Sequence, residues 1–383
     1  MPPPAKAEKH LGFLDNLRGL AILLVFLYHC LSCSYATDQL AWQGWFRDFN
    51  IPFPSFFLFY PLTYGWGGVA IFFVVSGFCI HMSHAKSRTK QFSIFFARRF
   101  FRIYPPYLLA LLIFALVFPW TRLNPADHAF RFQMASHLVL LHNLPSWCFF
   151  GINPSFWSIA VEAQLYVLYP LLLWLVRGCG WKGALLVTGL IELALRTVAA
   201  SQGHWQLWFF NYPFYFWFSW TIGAALADDF IAGRPLRFGQ FPLWLWPAMT
   251  VAFSFVKPLS CFCFMTLALS AATAIARHDR FNWEGRPGSW TAALARHLRY
   301  VGTISYSVYL LHQPFLEMVP KLYAKYLPGQ TVHPLILFAS CLLVWPFILL
   351  LAQAFFSYVE TPSINLGKWV VKNHLTRPVP KLA

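Results

Sequence analysis

Apolar residues run through this chain in blocks of bilayer length, and the few polar side chains inside those blocks carry most of its information. A helix needs about 20 predominantly apolar residues to cross a hydrocarbon core. Ten stretches approach that: Leu14–Leu31, Trp66–Met82, Ile103–Trp120, Phe156–Val176, Gly183–Ala199, Trp208–Leu226, Phe241–Val256, Ser260–Ala276, Tyr300–Val319 and Pro334–Ser357. The seventh and eighth give the weakest signal, since Pro247 interrupts one and a short break at Lys257 and Pro258 divides them. The pattern predicts an all-α integral membrane protein with about ten transmembrane helices in one bundle. No internal repeat or low-complexity tract is visible, so residues 1–383 read as a single membrane domain, with a core from about 14 to 360 and no appended soluble domain. The basic flank MPPPAKAEKH resembles a signal-peptide start. The apolar run after it is long and lacks a small-residue cleavage site, which predicts a retained first span.

Composition and charge add an orientation. Hydrophobic residues make up 58% of the chain and charged ones 11%, against about 25% charged in soluble domains, which excludes an ordinary soluble enzyme. Aromatic residues reach 20%, enough for belts of Trp and Tyr at both interfaces. With the amino terminus inside, the inner segments hold 21 of the 29 Lys and Arg residues, among them Lys86, Lys90, Arg98, Arg99, Arg102, Arg296, Arg299, Lys368 and Lys372. The outer segments Ser34–Tyr64 and Thr121–Pro154 hold few. That skew follows the positive-inside rule and predicts both termini in the cytoplasm of a multi-pass plasma-membrane protein. A net charge of +16 spread over such loops matches no nucleic-acid motif, so no nucleic-acid partner is expected beside the lipid bilayer.

Three polar groupings fall within or at the mouth of the apolar blocks. Arg18 and His29 lie eleven residues apart in the first block, which puts them on nearly one helix face and roughly 16 Å apart along the axis. Ionisable groups at that depth face a cavity, a partner or the protein interior. At the mouth of the third span, FFARRFFRIYPPYLL gathers Arg98, Arg99, Arg102 and Tyr104. Arg99 and Arg102 are three apart and can converge on one anion, and the guanidinium fork suits phosphate oxygens; a lipid-headgroup anchor is the plainer reading. In the fourth span Ser158 and Glu162 stack four apart. Glu162 is either a chemical group or an interhelical tie to a neighbour such as Arg18. Cys30 and Cys33 form a C-x-x-C, and His81 and His84 lie three apart. Neither pair has a second ligand pair at metal-site spacing, so no metal is expected.

These blocks taken in order resemble the membrane-bound acyltransferase type 3 family. LDNLRGLAILLVFLYH, containing Asp15, is similar to the family's opening Arg-x10-His helix. GGVAIFFVVSGFCI, with Ser76 and Gly77, resembles its GVxxFFVLSGF block, and ARRFFRIYPPYLL its RRxxRIYPxY block. FWSIAVEAQLYVLYPLLL resembles WSLSVEEQFYLLYPLLL, and ISYSVYLLHQPFL, with His312, resembles SYSLYLLHxP. The likeness spans the chain from Leu14 to Glu360. Departures are Asn16 where glycine is usual, Ala160 for a serine and Ala163 for the second carboxylate of VEEQ, which leaves Glu162 as the lone acid there.

The resemblance implies an O-acyltransferase. It would move an acyl group, acetyl first, from cytoplasmic acyl-coenzyme A to a hydroxyl of a cell-surface or lipid-linked carbohydrate. A small-molecule acceptor, or a separate acyl-accepting partner protein, is also compatible. By that resemblance His29 is the catalytic group, Arg18 and Glu162 its companions, and Arg98, Arg99, Arg102 and Tyr104 the cofactor-binding set. Asp15, Ser76, Gly77, Ser158 and His312 are further motif positions, and a histidine near a helix end, such as His312, reads first as a structural group. A competing class is a transporter or flippase, because buried Arg, His and Glu also line transport paths. The absence of an internal repeat argues against it. A silent scaffold in a glycan-synthesis complex is the third reading.

Overall fold

The first apolar block forms one long helix, α1 (Pro4–Ser34). The computed structural model describes residues 4–35, 54–87, 90–127, 129–145, 147–202, 212–256, 258–278 and 288–375, and among these no strand occurs. A narrow helical segment, Pro54–Gly67, leads into α2 (Gly68–Ala85). Then come α3 (Phe92–Leu112), widened into a π-helical turn at Ile113–Val117, and the short α4 (Ala129–Leu138). The fourth and fifth apolar blocks form α5 (Phe156–Gln202), which breaks at Gly180, where φ is +66°. Only glycine adopts that conformation freely, so α5 is two helices joined there. Next are α6 (Trp217–Ile231), α7 (Leu245–Ser254), α8 (Cys263–Ala276), α9 (Trp290–Thr303) and α10 (Ser305–Tyr326). The last block is divided into α11 (Pro334–Leu343), α12 (Trp345–Phe355) and α13 (Thr361–Val370).

Among the described residues, five helical stretches are long and apolar enough to cross a membrane: Gly12–Ser34, Leu58–Ala85, Phe92–Val117, Phe156–Ser201 and Pro334–Leu375. The fourth contains two of the expected spans. The expected seventh and eighth correspond to shorter apolar helices, Leu245–Ser254 and Ser260–Ala276. Part of the expected sixth span (208–211) and most of the expected outer segment Ser34–Tyr64 lie outside the described residues. Val167, Trp174, Leu343 and Leu350 are exposed on outer helix faces, as lipid-facing side chains are.

Close helix contacts fix the frame. α1 packs on α2, α9, α10 and α11, and α2 packs on α6 and α8. A methyl group at Gly19 would stand 1.9 Å from the Leu298 carbonyl oxygen, and one at Gly302 would stand 1.8 Å from that of Asp15. Gly77 and Gly223 play the same part between α2 and α6, facing the backbone oxygens of Trp220 and Val74. Small residues let membrane helices approach this closely, where no hydrophobic force drives them together. Gly77 is therefore a packing residue.

Candidate active site

The helical stripe of α1 opens onto two chambers. Arg18 lines one of about 780 Å³, together with Ser76 and Cys79 of α2, Arg99 and Arg102 of α3, Ser158, Glu162 and Tyr166 of α5, and Tyr306 and Tyr309 of α10. His29, three helical turns further on, lines a second of about 640 Å³. Val69 and Tyr309 line both, so these side chains form a shared wall. Outside the first chamber lies a wide pocket of about 1020 Å³ walled by Arg98, Arg99, Arg102, Lys368 and Lys372. Arg99 and Arg102 line both of these spaces and stand at their junction.

The first chamber holds its carboxylate by hydrogen bonds. Glu162 Oε1 accepts from Ser76 Oγ at 2.6 Å and from the Tyr166 hydroxyl at 2.5 Å, while Trp220 Nε1 donates to Ser76 Oγ at 3.3 Å. Arg18 donates to Asp15 Oδ1 at 2.6 Å and to Cys79 Sγ at 3.0 Å. Glu162 and Arg18 therefore face the same space without a direct bond. Glu162 and His29 line different chambers, so the structure does not bring these two groups together. Ser158 Oγ hydrogen-bonds the Tyr309 hydroxyl at 2.6 Å across the shared wall.

In the second chamber a relay of two imidazoles fixes the state of His29. The Tyr309 carbonyl can only accept, so at 2.9 Å it receives the Nδ1 proton of His312. In a neutral ring His312 Nε2 is then the acceptor, and it takes the Nδ1 proton of His29 across 3.0 Å. Among the described residues the Nε2 lone pair of His29 has no partner, and the half-buried side chain lines the cavity. His312 is fully buried and is the partner that orients His29, which exceeds the minor role expected of it. No signal in the sequence joined two residues 283 positions apart.

The arginine cluster is partly as expected. Arg99 Nε is buried with no hydrogen-bond partner among the described residues, which suits an anion yet to be bound. Tyr104 departs from its expected place: its hydroxyl donates to the Leu138 carbonyl at 2.9 Å and anchors α4, away from the basic pocket. Half a helical turn separates it from Arg102, enough to turn it to another face. Sequence reading missed Lys368 and Lys372, which α13 brings to the cluster by packing on α3. It also left unused the buried pair Glu192–Arg196 in α5, whose spacing of four in an apolar helix was a readable signal. His81 and His84 are absorbed elsewhere. The first hydrogen-bonds the Tyr169 hydroxyl at 3.0 Å, and the second stacks on Phe92.

The profile of a family described as an acyltransferase domain matches residues 11–353. The chain is similar to the peptidoglycan O-acetyltransferase OatA of Listeria monocytogenes, 23% identical over 403 aligned positions that cover 93% of this chain and 56% of that protein. It is also similar to the acyltransferase MdmB of Streptomyces mycarofaciens, 30% identical over 184 positions, or 46% of this chain and 42% of that one. The chain thus spans about half the length of these relatives. No solved structure matches it.

Proposed function

This chain belongs to the acyltransferase domain family, and on that premise we propose that it transfers an acyl group, acetyl in the first instance, from acyl-coenzyme A to a carbohydrate hydroxyl at the bacterial plasma membrane. One observation carries the reading: His29 keeps a free Nε2 lone pair in a chamber that shares a wall with an arginine- and glutamate-lined one. The outer basic pocket suits the phosphates of coenzyme A. Among the described lining residues no acid joins its five cationic side chains, and Arg99 has an unmatched donor. Arg18 and Glu162 line the chamber that lies between that pocket and the wall shared with the chamber of His29. The positive-inside skew supports a cytoplasmic face for it and cytoplasmic termini.

Chemically, His29 Nε2 takes the proton of the acceptor hydroxyl as that oxygen attacks the thioester carbonyl. When the carbon–sulfur bond breaks, the same nitrogen returns the proton to the departing thiolate, giving an ester and free thiol. His312 holds the ring and accepts from its Nδ1 proton throughout. The carbohydrate acceptor is suggested by the peptidoglycan named in the Listeria relative. Purified protein incubated with labelled acetyl-coenzyme A and neutral glycan fragments should form a labelled, alkali-labile ester with one free thiol per ester. Label that crosses a vesicle wall without forming an ester would favour transport and overturn the proposal.

A further inference from the structure

The second chamber differs from the first in its walls and its charge. Tyr28, Trp66, Trp157, Tyr215, Phe216 and Phe264 give it an aromatic lining. Apart from His29, Arg196 is the one ionisable basic side chain among its described lining residues, and this arginine is already neutralised. Its Nε and Nη2 donate to Glu192 Oε1 at 3.0 and 2.8 Å, Nη2 donates also to the Tyr215 carbonyl at 2.9 Å, and Nη1 donates to that of Cys261 at 2.7 Å. Glu192 is fully buried and also accepts from the backbone nitrogen and hydroxyl of Ser219. These bonds use four of the five guanidinium hydrogens, and the second Nη1 hydrogen makes no hydrogen bond among the described residues.

Resting on the acyltransferase reading above, we infer that this chamber is the acceptor site, that it takes an uncharged ring, and that Glu192 sets this preference by cancelling the charge of Arg196. The apolar faces of a sugar ring pack on aromatic side chains, and a few placed donors fix its orientation. Arg196 supplies one such donor without net charge. A carboxylate entering here would lose its water and meet a guanidinium that already belongs to another acid, a costly exchange. The two ends of the site therefore sort their ligands by charge: phosphates to the clustered cations of the outer pocket, and a neutral ring to the aromatic chamber beside His29.

The test uses two acceptors of equal size, a chitotetraose carrying N-succinamoyl groups and the same tetramer carrying N-succinyl groups. They share every hydroxyl and differ in charge. The wild type should acetylate the neutral tetramer with at least about tenfold higher kcat/KM, the penalty of bringing in an unmatched charge. Glu192→Gln leaves Arg196 uncompensated and should shift that ratio toward the acidic tetramer by about tenfold, which a purely structural role for Glu192 would not do. Equal use of both tetramers by the wild type overturns the inference whether or not the variant folds. So does an unmoved ratio in a folded Glu192→Gln protein. Transfer to neither tetramer, with His29-dependent release of thiol from acetyl-coenzyme A intact, overturns the acceptor assignment alone. Absence of thiol release overturns the acyltransferase reading beneath it.

Discussion

His312 offers the sharpest perturbation, because it touches His29 while its own side chain lines neither chamber. Replacing it with phenylalanine keeps a flat ring in a fully buried position and removes the acceptor for the His29 Nδ1 proton. A buried donor left unpaired costs about 1–3 kcal/mol. If that cost falls on the reactive arrangement of His29, a factor of ten per 1.36 kcal/mol gives a drop in kcat of about 5- to 160-fold. Removing a general base outright costs about 10²–10⁴-fold, so His312→Phe should remain faster than His29→Ala. The KM for acetyl-coenzyme A should hold, since the basic pocket and the first chamber contain neither imidazole. His312→Gln should recover part of the rate, because an amide can accept from His29 and donate to the Tyr309 carbonyl. In a thiol-release assay the double variant His29→Ala/His312→Phe should be no slower than His29→Ala alone. A folded His312→Phe protein at the parental rate, or a double variant whose losses multiply, would refute the relay.

The remaining expectations concern the entrance, the orientation and the outer segment. Alanine at Arg99 and Arg102 should raise the KM for acetyl-coenzyme A, each lost charge-assisted contact costing about 1.5–3 kcal/mol, and lysine should rescue only in part because it lacks the fork; a parental KM in the inserted double variant would reduce the cluster to a topology signal. A cysteine placed at Lys90 should react with a membrane-impermeant maleimide only from the cytoplasmic side, and labelling from outside would reverse the assigned orientation. His137 lies outside the spanning helices, and burial pulls its imidazole down to about 4, below the roughly 6.5 of an unfolded chain. The unfolded chain therefore binds the proton first, so this contribution is complete above pH 6.5 and is lost as pH falls toward 4. Thermal denaturation in detergent should show Tm declining across that window, and His137→Gln should flatten the decline; an unchanged slope would contradict it.

What the sequence made legible was local. The interval from Arg18 to His29 placed both on one stripe of α1, and that stripe does open onto the two chambers. Ser158 and Glu162 share a face for the same reason, as do Arg99 and Arg102. Pairings between distant helices were not legible. His312 reaches His29 only because α10 packs on α1, and Lys368 shares a pocket with Arg99 only because α13 packs on α3. Tyr104 shows the opposite error, since proximity in sequence to the arginines did not fix which way its ring turns. Helix ends were equally hidden: the third apolar block begins at Ile103, yet α3 begins at Phe92 and carries Pro105 and Pro106 inside it. Prolines inside membrane helices are tolerated where neighbouring groups satisfy the freed backbone.

The account rests on His29 as the group that moves the proton during acyl transfer. The decisive measurement is single-turnover acyl transfer by purified, bilayer-reconstituted wild type and His29→Ala, with acetyl-coenzyme A and a neutral glycan acceptor at saturation. Alanine suits a membrane helix better than histidine does, so the variant should insert and keep its donor binding. Its transfer rate should fall by about 10²–10⁴-fold. Transfer at the wild-type rate by a folded His29→Ala protein would contradict the account and leave this histidine a structural residue.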